Sequence, residues 1–193
     1  MPFSPVELQA ALEQLGALIA ARGQAFDLAI VGGGALLLVG LIERSTKDLD
    51  AVALIEQQIW RSAEPLPEPL AIAVKEIAAL LDLEDNWLNA GPASLMDHGL
   101  PTGFADRVTV QVFGGLTLRL ASRVDQIALK LYAAADRWPM RNNRHLSDLQ
   151  RLAPSVEELR HSAAWCRTHD PSEGFLTVQL APVLATFGVT IDG

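Results

Sequence analysis

The chain carries Val31-Gly32-Gly33-Gly34-Ala35, followed by Arg44-Ser45-Thr46-Lys47-Asp48-Leu49-Asp50. A glycine turn thus precedes two carboxylates at alternate positions of an apolar strand, predicted over Asp48 to Leu54. Successive strand side chains point to opposite faces, so Asp48 and Asp50 share one face and Leu49 takes the other. Two acids converging at a glycine-lined turn suit a divalent cation and the phosphates such a cation carries. The missing Cβ atoms let phosphates approach the backbone and the start of the next helix. Neither common phosphate fingerprint is present: G-x-G-x-x-G would need glycine where Leu37 stands, and no Gly-Lys-Ser/Thr succeeds the glycines.

Outward from this stretch, Phe26 to Val31 reads as a short strand entering the glycines, and Ala35 to Leu41 as a buried helix. At the N-terminus, Ser4 can cap a helix whose first position is Pro5, Glu7 completes a capping box, and Gly23 ends it. Phe3 and Leu8 occupy staple positions, while Leu12, Leu15 and Ile19 recur at helical spacing. Glu64 to Pro69 holds three prolines and reads as a connector, leading to a helix over Leu70 to Leu83. Gly91 to Asp106 has too many turn formers for a long element. Val108 to Val112 and Leu116 to Leu120 alternate around Gly114-Gly115 as a β-hairpin. Ser122 is placed to cap a helix, and beyond it the pattern stays helical, with helices near 123–136, 143–152, 155–168 and 172–187. The predicted class is α+β: a small mixed sheet flanked by helices over 1–121, with a helical C-terminal part over 122–193 packed on it.

With 193 residues, half of them hydrophobic, the chain can bury a substantial core. No run reaches the ~18 apolar residues of a membrane span, and no charged-then-apolar leader opens the chain. A single cysteine, Cys166, excludes an internal disulfide and a cysteine-rich zinc site, and fits a cytoplasmic protein. His98, His161 and His169 have no ligand spacing. Trp60, Trp87, Trp138 and Trp165 read as core or interface anchors rather than base-stacking platforms. The net charge is −8, so the average surface repels nucleic acid. Between Arg119 and Arg151, however, seven cations face three anions, a local balance of +4 that reads either as a solvated helix face or as a phosphate-facing wall.

A hydrophobe, Gly32 and Gly33, then Arg-x-Thr-x-Asp-hydrophobe-Asp, resembles the signature of the polymerase-β-like nucleotidyltransferase superfamily. Within it the match is most similar to AbiEii-type toxins and their small bacterial relatives. The resemblance continues through Trp87-Leu88-Asn89, through Leu120-Ala121-Ser122 into the Lys130-bearing stretch Ala128 to Ala133, and through Arg144 to Leu149. It spans roughly 25–152. It implies a Mg²⁺-dependent enzyme that moves a nucleoside monophosphate from an NTP to an acceptor hydroxyl. Gly32 and Gly33 would turn over the triphosphate, Asp48 and Asp50 would hold one or two Mg²⁺, and Arg44 and Thr46 would support the turn or touch nucleotide. Lys130 would offer a mobile charge to a phosphate, and Asp148 would help ligate metal or orient the attacking hydroxyl. The toxins imply a tRNA 3′ end or a protein as acceptor, and an antitoxin protein as partner.

Two departures from the superfamily pattern stand out. A third acid usually comes from a neighbouring strand, and the natural candidate position here is Gln111. The acid often found three residues before Asp148 is His145. Residue chemistry alone also permits Lys130 as a snorkelling surface lysine and Asp148 as the helix partner of Arg144. These departures leave an alternative function open: a nucleotidyltransferase fold that has lost turnover and binds a nucleotide or a protein partner.

Overall fold

A computed structural model of the chain describes residues 3–190. The chain divides into two units, Met1–Ser122 and Arg123–Gly193. The first is built on a mixed sheet with its central strand, β1, at Phe26–Val31. Leu28 to Val31 are all buried, which is the pattern of a strand covered on both faces rather than one face. β2 (Leu49–Glu56) pairs antiparallel with β1 and is flanked on its far side by β3 (Ile59–Ser62), also antiparallel. The two-residue β4 (Leu88–Asn89) lies parallel to the first residues of β2. On the other side of β1 run the parallel β6 (Leu116–Leu120) and then the edge strand β5 (Thr109–Phe113), so the order is β3-β2-β1-β6-β5. The α+β class and the hairpin over Gly114-Gly115 are as the sequence predicts.

One irregularity positions the chemistry. Ala29 pairs with Ala53, but Ile30 pairs with Ala51, so Val52 is an extra residue on β2. A bulge of this kind shifts every later pairing by one residue. Here the shift brings Asp50 opposite Val31, the last residue before the glycines.

Helix α1 (Pro5–Ala21) has the expected capping box, with the Glu7 backbone N–H donating to the Ser4 hydroxyl and the Ser4 N–H donating to the Glu7 carboxylate. Gly16, in the middle of that helix, meets the hairpin turn: the Gly115 N–H donates to the Gly16 carbonyl at 2.9 Å. The second helix, α2, spans Gly32–Leu38 rather than Ala35 to Leu41, so the glycines form its first turn instead of a separate turn ahead of it. α3 covers Glu68–Leu81, because Pro69 fits the opening turn of a helix as well as it fits a connector. A 3-10 turn over Gly91–Met96 and the short α4 (Phe104–Arg107) fill the stretch expected to lack long elements.

β3 and β4 have no counterpart in the sequence prediction. The β2–β3 turn is made by Gln57 and Gln58 at φ 50° and 69°. Such positive values normally announce themselves as Asn-Gly or Asp-Gly, and here that signal is missing. In the second unit, α5 (Arg123–Asp136), α6 (Arg144–Arg151) and α7 (Val156–His169) keep to the expected boundaries within a residue or so. The last predicted helix is realised as a π-helical stretch over Phe175–Leu180 running into α8 (Ala181–Ala185). Among the described residues no helix is long and apolar enough to cross a membrane.

A Cβ on Gly16 would lie 1.7 Å from the Phe113 carbonyl oxygen, a clash with backbone that no rotamer can relieve. Gly16→Ala is therefore expected to lower the unfolding free energy by about 1–3 kcal/mol, read from urea denaturation. An unchanged midpoint would show that α1 does not seat on the hairpin turn in this way.

Candidate active site

The two halves of the quoted signature lie directly against each other. Val31 is extended and Gly32 turns the chain at φ 76°, a conformation that favours glycine. A Cβ on Gly32 would sit 2.6 Å from Asp50 Oδ2. One on Gly33 would lie 3.0 Å from Thr46 Oγ1 and 3.5 Å from an Arg44 guanidinium nitrogen. One on Gly34 would meet Leu49 Cδ1 at 2.6 Å and the Asp48 carbonyl oxygen at 2.9 Å. Each glycine is thus covered by a different part of the Arg44–Asp50 segment.

That segment is tied down from both sides. Thr46 is buried and exchanges backbone hydrogen bonds with Phe3, while its hydroxyl donates to the Asp48 carbonyl at 3.2 Å. Leu49 is fully buried, and its N–H donates to the Trp87 carbonyl at 2.6 Å. Asp48, one residue before β2, is exposed, and Asp50 is half-buried. Leu49, between the two acids, is the buried member of the three, and the strand begins at Leu49 rather than at Asp48.

Asn89 is the polar side chain that a neighbouring strand brings to Asp50. The two residues are register partners, and the Asn89 amide nitrogen donates to Asp50 Oδ1 at 3.2 Å. In the sequence, Trp87-Leu88-Asn89 stands out only through the family resemblance. Gln111 does not occupy the neighbouring-strand position expected of it. It lies on β5, and β1 and β6 stand between that strand and β2. At about 4.8 Å per step, the separation is roughly 14 Å. The sequence could not show this, because order along the chain does not reveal order across a sheet.

In the second unit, Lys130 and Asp148 find each other. Lys130 Nζ lies 2.8 Å from Asp148 Oδ2, and both side chains are almost wholly buried, at 6% and 1% exposure. Lys130 is therefore held in place by a carboxylate rather than snorkelling, and its charge is already matched. Beside the pair, His145 is half-buried. Desolvation, with the Lys130 and Arg137 cations, pushes its imidazole from the ordinary 6.5 down to about 4, against the pull of Asp148. It is neutral at pH 7 and a weak base.

The +4 stretch also loses part of its reach. Arg119 makes a bidentate ion pair with Asp27, and Arg123 pairs with Glu158 while donating to the Leu152 and Ala153 carbonyls. Among the described residues, Lys130 adds a third cation of this stretch committed to a carboxylate.

Asp48 and Asp50 are the residues that could hold a hard divalent cation. No group of three or more His, Cys, Asp or Glu gathers as a metal site among the described residues. Mg²⁺ commonly takes one or two carboxylates and completes its shell with water and substrate phosphate, so a pair suffices.

Residues 7–139 match the family described as "Nucleotidyltransferase of unknown function (DUF6036)". The chain belongs to that family. Its fold is similar to the crystal structure of an antigenic nucleotidyltransferase-like protein from Paracoccidioides brasiliensis, with a TM-score of 0.51 and 15% identity. That likeness covers 100% of this chain and 97% of the other, and at such identity it concerns the fold alone. No curated protein matches the sequence.

Two measurements probe the second unit of this nucleotidyltransferase family member. Lys130→Met or Asp148→Ala alone breaks a buried ion pair by removing one partner and is expected to cost about 3–5 kcal/mol in urea unfolding. Lys130→Met combined with Asp148→Leu should recover most of that loss, and additive costs would refute the pairing. For His145, the depressed pKa means that the unfolded chain takes up its proton first as pH falls. The stability it confers is present above about 6.5 and lost toward pH 4. His145→Gln should accordingly lose less stability across that window than the unaltered chain, measured as urea midpoints from pH 7 to 4.

Proposed function

We propose that this chain is a Mg²⁺-dependent nucleotidyltransferase that moves a nucleoside monophosphate from an NTP to an acceptor hydroxyl. The observation that carries this reading is the seating of Asp50 over Gly32, with Asp48 two residues away on the exposed side of Leu49. An anionic pair beside backbone stripped of Cβ atoms can receive a polyphosphate and the cation that accompanies it. Gly32 and Gly33 let Asp50, Thr46 and Arg44 close onto the turn, and Arg44, whose guanidinium lies over Gly33, supplies a charge-assisted contact to a phosphate bound beside it. Thr46 supports that turn from within. Asp48 and Asp50 hold the cation.

Bound magnesium would neutralise negative charge on the departing pyrophosphate. In the transfer itself, the acceptor oxygen bonds to the α-phosphorus. The bond from that phosphorus to the α–β bridging oxygen breaks, pyrophosphate leaves with the electron pair, and the hydroxyl proton passes to solvent. The chain's contribution is to align the triphosphate and hold charge fixed around it.

The resemblance to AbiEii-type toxins extends the reading to a toxin whose acceptor is a tRNA 3′ end or a protein, restrained by an antitoxin partner. Net charge of −8 favours a protein or small acceptor over RNA, and the pairing of Arg119 and Arg123 weighs the same way. The buried Lys130–Asp148 pair supports assigning these two residues to holding the second unit together, rather than to contact with phosphate. A second reading, a module that binds nucleotide without turnover, draws on the neutral Asn89 where a third acid would strengthen metal binding.

The test is incubation with α-labelled NTPs and Mg²⁺, offering total RNA and cell protein as separate acceptors. The expected outcome is acceptor labelling with stoichiometric pyrophosphate, reduced about 100-fold or more in Asp48→Asn and in Asp50→Asn. Labelling that persists in both variants would remove the assigned site. Calorimetric NTP binding without any labelled product would establish the binding module instead.

A further inference from the structure

The Asp50 carboxylate is placed between Gly32 and Asn89. Oδ2 lies over Gly32, within 2.6 Å of the point a Cβ would occupy, and Oδ1 accepts from the Asn89 amide at 3.2 Å. The orientation of that amide is set independently. Its own oxygen accepts from the Gly91 N–H at 2.7 Å, which leaves the NH₂ group facing Asp50. Gly91 permits this approach, since a Cβ there would come within 2.9 Å of the Asn89 oxygen.

The strand that carries Asn89 is too short to place itself. β4 has two residues, and its register against β2 depends on the residue before it. Trp87 is fully buried, its indole N–H donates to the Val74 carbonyl of α3 at 3.1 Å, and its carbonyl accepts from Leu49 N–H. Trp87 and Leu88 thereby anchor the segment, and Asn89 projects beside Asp50 as a consequence.

We propose that Asn89 is a positioning residue that holds the Asp50 carboxylate in its cation-binding orientation without itself contacting the cation. This rests on the reading of Asp48 and Asp50 as cation ligands. The residue type suits the task. A lysine or arginine would fix the carboxylate equally well, but its positive charge would compete with the cation. An aspartate would repel the carboxylate and offer itself as a ligand. A neutral amide donor orients one oxygen and leaves the full negative charge available, as outer-sphere partners of metal ligands generally do. No acid replaces Asn89 at this register position, so orientation substitutes for added charge.

The probe is Mn²⁺ titrated into the full-length protein with a non-hydrolysable NTP analogue, read by electron paramagnetic resonance of free Mn²⁺. Asn89→Ala is expected to weaken Mn²⁺ about 10–100-fold. Its thermal midpoint should fall by no more than about 4 °C, because Trp87 and Leu88 remain to hold the strand. Gly91→Ala, which crowds the amide oxygen, should weaken Mn²⁺ in the same direction. If Asp50→Asn abolishes Mn²⁺ binding while Asn89→Ala leaves it unchanged, the positioning role fails and the site stands. If Asp50→Asn also binds Mn²⁺ normally, or the unaltered chain does not bind it, the site assignment fails and the proposal goes with it.

Discussion

At Gly32, Gly33 and Gly34 the backbone comes so near the Arg44–Asp50 segment that a Cβ at any of the three would meet a neighbour at 3.0 Å or less. The candidate site's geometry depends on that approach. Because Gly34 admits the Leu49 side chain, the start of β2 can descend onto the first turn of α2. Because Gly33 admits Thr46, the preceding loop closes above that turn. With both in place, Asp50 comes down over Gly32. The bulge at Val52 completes the alignment, since regular pairing beyond Ala29 would have set Ala51 opposite Val31 and carried Asp50 past it. Three glycines and one surplus residue therefore convert two separated stretches of chain into a single cradle.

Three cations of the Arg119–Arg151 stretch are absorbed by structure. Arg119 is spent on Asp27 within the sheet, Arg123 on the C-terminal end of α6 and on Glu158, and Lys130 on Asp148. The last of these pairs is almost wholly buried. Its desolvation cost is severe unless both partners are present, so it enforces one arrangement of α5 against α6 more than it adds stability. His145 beside it stays neutral for the same reason, as burial and adjacent cations make a further positive charge unfavourable. Asp48 is exposed, with its carbonyl oxygen against Gly34. An exposed acidic group two residues from the one seated over Gly32 is an arrangement suited to a charged ligand.

Much of the fold was written locally. The capping box at Ser4, the strand into the glycines, the hairpin at Gly114-Gly115 and the boundaries of α5 all arise from short-range chemistry, and each is found in place. Elements whose existence depends on a distant partner were not legible. β4 is two residues that become a strand only because Trp87 is fastened to α3 and to Leu49. β3 comes after a turn of two glutamines in a conformation they seldom adopt. Gln111 was misplaced because a hairpin pattern reveals that two strands pair, but not which edge of the sheet they join.

The glycines, the alternating Asp48-Leu49-Asp50 and the apolar strands around them are determined by residue type and period, so the sequence by itself fixes which side chains can share a face and where the backbone can turn. Which groups meet is another matter. That Asp50 takes its hydrogen bond from Asn89, that Lys130 spends its charge on Asp148, and that Gln111 sits three strands from β2 were decided only in three dimensions. Hydrogen bonds and ion pairs form between residues far apart in the chain, and their partners are selected by strand order, bulge and burial, none of which has a local signature.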